Sequence, residues 1–239
     1  MPLQTVEPQR LYRQIASQLR ELIGNGEFAV GTRLPAERDL ARLLGVSRPS
    51  VREALIALEV EAWVEVRTGS GVYVLDRKGK PSQAANTPLI PTEWGPLELI
   101  RARRVVEGET AALAAALGKK RDMEAMHKAI ESMQSDANRG VMPLAGDRAF
   151  HTAIVQASGN AVLVETVQTF WDSRHGPLFM TLGGHFETLK SWLAAIDEHV
   201  AILQAIQQRD AQAARAAMHS HMDKSHARFS ASWRRTQKK

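Results

Sequence analysis

One carboxylate and three histidines in the second half of the chain could together bind a metal ion. Asp147 and His151 lie four residues apart in the segment DRAFH, so on a helix their side chains would share one face. His199 and His221 follow in two later segments with a helical pattern. One carboxylate and three imidazoles from three helices suit a divalent transition metal such as Zn, Ni, Fe or Mn. Each histidine taken singly could equally be a surface residue or a hydrogen-bonded core residue.

A second group of residues, nearer the N-terminus, could bind DNA. A short helix, a glycine turn, a second helix rich in arginine and a hairpin follow one another in the order of a winged helix-turn-helix. Ser47 is a natural N-cap for the second helix. We expect this helix to present the following side chains at its exposed start: Ser47, Arg48, Pro49, Ser50 and Arg52. The alternative is a solvated amphipathic helix pair followed by an ordinary hairpin.

Local signals place the elements that must position these arginines. An amphipathic helix is predicted over about 10–23. The next helix should begin near Pro35, since proline suits the first helical position, and Gly45 should supply the turn after it. Residues 63–66 and 72–74 alternate as two strands around a Gly-containing turn, which is a hairpin signal.

Composition narrows the class of protein. The chain has 239 residues, a formal net charge of +5 and a pI near 9.7, which favours a polyanionic partner. It has no cysteine, so disulfides and thiolate metal sites are excluded. No apolar run approaches the ~20 residues of a membrane span, and no signal-peptide core is visible. These features fit a cytoplasmic protein without a membrane partner.

The remainder of the chain is predicted to be helical. We expect a mainly α protein with a DNA-binding domain at 8–75, a Pro- and Gly-rich linker at 76–96 and an antiparallel helical bundle at 97–235. The predicted bundle helices are 97–118, 122–138, 143–157, 160–174, 187–208 and 210–234. Residues 175–186 are expected to form a loop with a short helical piece.

The segment LPAERDLARLLGVSRPSVREALIAL resembles the DNA-binding domain of the GntR family of bacterial transcription regulators, and the likeness extends over roughly 10–75. It implies that Arg38, Arg48 and Arg52 contact phosphates and base edges of DNA. It also implies that Gly69, at the tip of the wing, reaches toward the minor groove. Ala62 departs from the family, which usually has a glycine after the recognition helix.

The second half resembles the FCD-type ligand-binding domain of one GntR subfamily. The matching residues are Arg103 and Glu107, Asp147 and His151 followed by Ser158-Gly159-Asn160, and then His199 and His221. The resemblance implies a divalent metal bound by Asp147, His151, His199 and His221, with Zn favoured and Ni, Fe or Mn as alternatives. Coordination positions left open by these ligands could take an effector or water.

The resemblance also indicates an effector. Arg103 matches the pocket arginine of the family, and a guanidinium can bind a carboxylate through two hydrogen bonds. Phe170, Trp171 and Arg174 offer a flat wall with a second charge, and Asn160 offers a polar partner. The segments RLYRQIASQL, GPLELIRARRVVE and FW--R resemble hexuronate-responsive regulators, which implies a sugar acid. Lactate-like, fatty and amino acids stay open as alternatives, as does a plain surface pair between Arg103 and Glu107.

Together these features predict a homodimeric, metabolite-responsive repressor that binds a palindromic operator in double-stranded DNA and is not an enzyme. Two other classes of protein fit parts of the sequence. A metal-dependent hydrolase would use the Asp/His set to activate water, but no general base or nucleophile motif accompanies it. An architectural DNA-binding protein with a structural metal would leave DNA affinity independent of small molecules.

Overall fold

The computed structural model describes residues 10–76 and 93–231, which divide into two compact units. The N-terminal unit comprises the described part of Met1–Gly95 together with Pro177–Leu182. The helical unit comprises Pro96–Gly176 and Gly183–Ala231. Within the described ranges the protein is mainly α-helical, as expected, with a two-stranded sheet in the N-terminal unit. None of the helices in these ranges is both long and apolar enough to cross a membrane.

Residues 10–76, which form most of the described part of the N-terminal unit, contain three helices and a hairpin. They are α1 (Leu11–Gly24), α2 (Glu37–Leu44), α3 (Arg48–Val60), β1 (Val64–Arg67) and β2 (Gly71–Val74). Helix α2 ends at Gly45, whose φ of 66° lies in the left-handed region that glycine adopts without steric cost. The backbone N–H of Ser50 donates to Oγ of Ser47 at 3.3 Å and thereby caps α3. The predicted helix-turn-helix and wing are therefore confirmed.

The wing is attached to the helices by backbone pairing. β1 and β2 run antiparallel, and Val64 lies opposite Val74. The segment before α2 lies along the other edge of β2, where Arg33 pairs with Tyr73 and neighbouring backbone groups are hydrogen-bonded. Gly69, at the turn between the strands, is exposed and has a φ of 87°. The position of the wing is thus fixed by the same segment that leads into α2.

Residues 93–231 contain seven further helices. They are α4 (Pro96–Leu117), α5 (Lys120–Asn138), α6 (Leu144–Ala157), α7 (Ala161–Ser173), α8 (Pro177–Phe186), α9 (Leu189–Gln207) and α10 (Ala211–Phe229). In the helical unit α4 packs along α10, and α5 packs along α6 and α9. Alanines 111, 114 and 115 of α4 are fully buried, and their small side chains let neighbouring helices approach closely. This packing brings α4, α6, α9 and α10 around one interior region.

Most predicted helices differ from the observed ones by one to three residues at their ends. The segment 175–186 is the main difference, because it contains a ten-residue helix, α8, rather than a loop with a short helical piece. Pro177 opens this helix and Leu178 and Leu182 are buried. The predicted linker and the end of the last predicted helix lie largely outside the described residues.

Candidate metal centre, effector cavity and DNA-binding surface

Three helices of the helical unit bring the four predicted metal ligands together. Asp147 and His151 lie on α6, His199 lies on α9 and His221 lies on α10, and all four are buried. The Nε2 atoms of His151 and His199 are 3.2 Å apart. Oδ1 of Asp147 lies 3.5 Å from Nε2 of His151 and 3.3 Å from Nε2 of His199. One nitrogen of each of the three histidines lies within 4.8 Å of the others.

Two glutamates outside this group contact the second ring nitrogens of His151 and His221. Glu107 of α4 contacts Nδ1 of His151. Oε2 of Glu198 lies 2.7 Å from Nδ1 of His221. A carboxylate on the second nitrogen of a histidine fixes the ring orientation and makes the first nitrogen a better metal ligand. The donor atoms that converge here therefore fit a divalent transition metal.

Burial and neighbouring charges shift the pKa values of these groups in different directions. Burial lowers the pKa of His221 to about 3 and also lowers the pKa of His199, which favours the neutral imidazole that binds metals. Burial opposes charge on Glu107 as well, but Arg103 and His151 outweigh it and lower its pKa to about 2. Burial also acts to lower the pKa of His151, but the nearby carboxylates of Glu107 and Asp147 outweigh it and raise this pKa.

A cavity that is partly open to solvent lies beside these ligands, and its lining residues all belong to the helical unit. It contains about 430 Å³ of space free of protein atoms, part of which is open solvent. Asp147 and His221 reach it from the metal side, and Arg103, Arg174 and Arg228 bring three guanidinium groups. The cavity can therefore receive an anion next to the predicted metal ligands.

Two of these arginines share one aromatic ring. The guanidinium carbons of Arg103 and Arg174 lie 4.4 Å and 4.6 Å from the ring centre of Trp171, which is a cation–π distance. Nη1 of Arg174 also donates to Oδ2 of Asp147 at 2.7 Å, which leaves the other oxygen of Asp147 facing the histidines. Trp171 thus orients both cations.

Asn160, predicted as an effector contact, is placed elsewhere. Its exposed side chain caps α7, where Oδ1 accepts hydrogen bonds from the backbone N–H groups of Val162 and Leu163 at 3.0 and 3.3 Å. It does not line the cavity. An asparagine after a Ser-Gly break is well suited to open the next helix, so the structure gives Asn160 a capping role, and its contact with an effector stays a prediction.

Other cavity residues were not predicted from the sequence. They include Glu187, Ser191, Trp192, Ser225 and Arg228. A signal for two of them was present, since Ser225 and Arg228 lie four and seven residues after His221 and so share its face of α10. The others come from the end of α8 and the start of α9, where no local pattern marks them.

The N-terminal unit exposes most of the predicted DNA contacts. Ser47 and Arg48 are exposed at the start of α3, and Pro49 and Ser50 are half-buried there. The side chain of Arg38 on α2 is 82% exposed. Together with Gly69 on the wing, these residues form an accessible basic surface.

Arg52 differs from the prediction that it lies on this exposed face. Its side chain is only 1% exposed, and its Nη2 and Nε donate to Oε2 of Glu37 at 2.6 and 3.0 Å. The other oxygen of Glu37 accepts a hydrogen bond from Nε of Arg48 at 3.2 Å. Burial lowers the pKa of Arg52, and Glu37 opposes that effect. The predicted exposure was wrong because α2 supplies a carboxylate that compensates the buried charge.

Comparisons with known proteins agree across both units. The family described as "Bacterial regulatory proteins, gntR family" matches residues 11–74, and the FCD domain matches residues 98–224. The Exu regulon transcriptional regulator of Escherichia coli (strain K12) is 37% identical over 224 residues, covering 92% of this chain and 85% of that protein. The Uxu operon transcriptional regulator of the same strain is 36% identical over 221 residues, covering 90% and 85%.

A solved structure shares the fold. Its title names Lar, which controls the expression of the Listeria monocytogenes agr system. It aligns with a TM-score of 0.51 at 19% identity and covers 94% of this chain and 98% of that one. At this identity the likeness concerns the fold alone.

Proposed function

We propose that a sugar acid controls this protein, which belongs to the GntR family of bacterial regulatory proteins and carries an FCD domain. The protein is a transcription regulator. The effector is held beside a divalent metal ion in the helical unit. The observation that carries this proposal is the convergence of Asp147 and three histidines at the wall of a cavity that three arginines also line.

The metal would be held by Asp147, His151, His199 and His221. When bound, a divalent ion supplies a positive charge and open coordination positions for oxygen ligands of the effector. The donor set suits Zn, with Ni, Fe or Mn as alternatives.

The chemistry of the cavity favours a small carboxylate with several hydroxyls. A guanidinium beside a carboxylate forms short, charge-assisted hydrogen bonds that a neutral sugar cannot match. Ser191 and Ser225 offer hydroxyl partners, and Trp192 offers an apolar surface. The resemblance to hexuronate-responsive regulators, together with relatives named as Exu and Uxu regulators, supports a hexuronate. Lactate-like, fatty and amino acids remain the alternative effectors.

The N-terminal unit supplies DNA binding. A homodimer would place two copies of α3 in successive major grooves of a palindromic operator, with the exposed start of each helix against the bases. The effector can change DNA affinity only by binding one arrangement of the dimer more tightly than another. We propose that the protein acts as a repressor whose DNA affinity the effector changes.

The test combines calorimetry with DNA binding. Glucuronate and galacturonate should bind the metal-loaded protein and change its DNA affinity, whereas glucose and galactose should do neither. Arg103→Ala should remove effector binding, because it deletes a cavity cation, while Arg101→Ala on the exposed side of α4 should not.

Metal content must be measured in both variants, because Arg103 also contacts Glu107, the partner of His151. A panel in which only fatty or amino acids bind would reject the sugar acid and leave the regulator in place. DNA affinity that responds to no small molecule would favour an architectural protein.

A further inference from the structure

A basic groove runs between the wing and the start of α2. One of its arginines, Arg33, is not among the predicted DNA contacts. The groove is lined by Arg33, Arg38 and Arg48, with Glu37 at the start of α2 and Gly71 at the start of β2. All of these residues belong to the N-terminal unit.

The charges in this groove are not balanced. Glu37 is engaged by Arg48 and the buried Arg52. The carboxylate nearest to Arg38 belongs to Asp39, which lies 3.7 Å away. Arg33 is exposed, and within residues 10–76 and 93–231 no carboxylate lies at ion-pair distance from it. Arg33 is therefore the cation of this groove whose charge the protein leaves for another partner.

The position of Arg33 is nevertheless fixed. Its backbone pairs with Tyr73 of β2, so its Cα cannot move away from the wing. Its side chain lies directly over Gly71, where a Cβ would overlap the guanidinium group. A glycine is thus required for the guanidinium to lie at the root of the wing. The paired backbone therefore keeps the guanidinium of Arg33 near the root of the wing.

The start of α2 favours an anion at the same place. Ala36 precedes the helix and has no side-chain acceptor for its first N–H groups. Unsatisfied N–H groups and the helix dipole favour negative charge at a helix N-terminus. This feature adds to the arginines and would not indicate a site without them.

We propose that Arg33 binds a backbone phosphate of DNA and joins the wing and the helix-turn-helix to the same strand. The inference rests on the proposed DNA-binding function and adds a residue that lies just before the LPAER motif. A phosphate contact positions the protein on the duplex and carries no sequence information. Arg33 should therefore contribute equally to binding of any DNA sequence.

The experiment uses the full chain and a duplex enriched from random DNA by the wild-type protein. Affinities for this duplex and for an unselected duplex of equal length are measured between about 50 and 200 mM salt. For Arg33→Ala we expect about tenfold weaker binding per subunit to both duplexes. The slope of log affinity against log salt should fall by about 0.9 per subunit. Arg33→Lys should retain most of the slope, since it keeps the charge.

Arg121→Ala is the matched control, because it removes an exposed arginine from α5 of the helical unit and should change neither quantity. An unchanged slope for Arg33→Ala would overturn the proposal, and so would a loss confined to the selected duplex, which would indicate a base contact. Arg48→Ala separates the two proposals: if it weakens the selected duplex while Arg33→Ala has no effect, DNA binding stands and the phosphate contact is rejected. If the wild-type protein enriches no duplex, both are rejected.

Discussion

Each unit of this protein buries a glutamate beside an arginine, yet only one of these two glutamates contacts a residue of the candidate metal centre. In the N-terminal unit Glu37 accepts hydrogen bonds from Arg48 and Arg52 of the recognition helix. In the helical unit Glu107 contacts an arginine on its own helix and also Nδ1 of His151. Glu37 is contacted by two arginines. Glu107 instead begins a chain of contacting groups that continues through His151.

That chain ends where two ring nitrogens and a carboxylate oxygen converge. Beyond His151 lie His199 and Asp147, with two ring nitrogens 3.2 Å apart and a carboxylate oxygen 3.3 Å from one of them. Two neutral imidazoles can share at most one proton between facing nitrogens. A buried ion pair such as Glu37–Arg52 therefore does not by itself indicate a binding site. Nitrogen and oxygen atoms that converge on one point, as at His151, His199 and Asp147, do indicate one.

The largest effect should come from removing a convergent donor. His199→Ala should lose most of about one bound divalent ion per chain, because it deletes a buried nitrogen at the centre. Elemental analysis of purified protein measures this directly. A chelator should then lower the thermal midpoint of the wild-type protein but not that of the variant, since only bound metal stabilises the folded state.

His219→Ala provides the control. His219 lies two residues before His221 on α10, and its ring packs over Gly108 of α4 rather than facing the centre. The His219→Ala variant should therefore keep its metal. Equal metal content in the two variants would contradict the assignment of the centre.

The next largest effect concerns the N-terminal unit. Glu37→Ala removes the carboxylate to which the buried Arg52 donates at 2.6 Å, and removing one partner of a buried ion pair costs about 3–5 kcal/mol of folding free energy. Urea unfolding followed by circular dichroism should show this loss. The double variant Glu37→Leu with Arg52→Met should recover much of it, because a buried ion pair can often be replaced by apolar groups. A loss below about 1 kcal/mol for Glu37→Ala would mean that the pair does not remain buried in solution.

The sequence predicted best what depends on neighbouring residues. Gly45 and Ser47 end one helix and begin the next through their own backbone and side-chain chemistry, so their roles could be predicted locally. The exposure of Arg52 and the helix cap made by Asn160 could not be predicted in this way, because each depends on its partners: a carboxylate from α2 in one case and two backbone N–H groups of α7 in the other.

The metal ligands show the same limit. His199 and His221 lie on different helices from His151, and nothing in their own surroundings separates them from the other histidines of the chain. The family resemblance singled them out, and the structure places them together. α8 was underestimated because Gly183 and Gly184 lower helix propensity within a segment that Pro177 opens and burial stabilises.

A smaller effect should follow from loosening the metal centre at its edge. Glu198→Gln removes the carboxylate that holds Nδ1 of His221, and the loss of such a partner typically weakens metal binding about 10- to 100-fold. Competition with a chelator of known affinity measures the change. Glu109→Gln is the control, because Glu109 forms an exposed pair with Arg215. Equal affinities in the two variants would show that Glu198 does not orient the ligand.

The smallest expected effect is on stability and comes from relieving backbone strain, at one position in each unit. Among the described residues, Ala62 and Arg209 are the non-glycine residues with positive φ, at 57° and 61°. An L-residue in this region costs about 1–2 kcal/mol, and glycine regains that at an entropic cost of about 0.5–1 kcal/mol. Ala62→Gly should therefore stabilise the N-terminal unit by about 0.5–1 kcal/mol in urea unfolding.

Arg209→Gly should have the opposite sign although it relieves the same strain. Nη1 of Arg209 donates to the carbonyl oxygens of Ala115 at 3.2 Å and Gly118 at 2.5 Å, at the end of α4. A hydrogen bond from a charged group contributes about 1.5–3 kcal/mol, which exceeds the relief of strain. We expect a net loss of about 1 kcal/mol for Arg209→Gly and a gain for Ala62→Gly. If both variants gained stability, the contacts of Arg209 with α4 would have to be weak in solution, and the left-handed backbone alone would control stability at both positions.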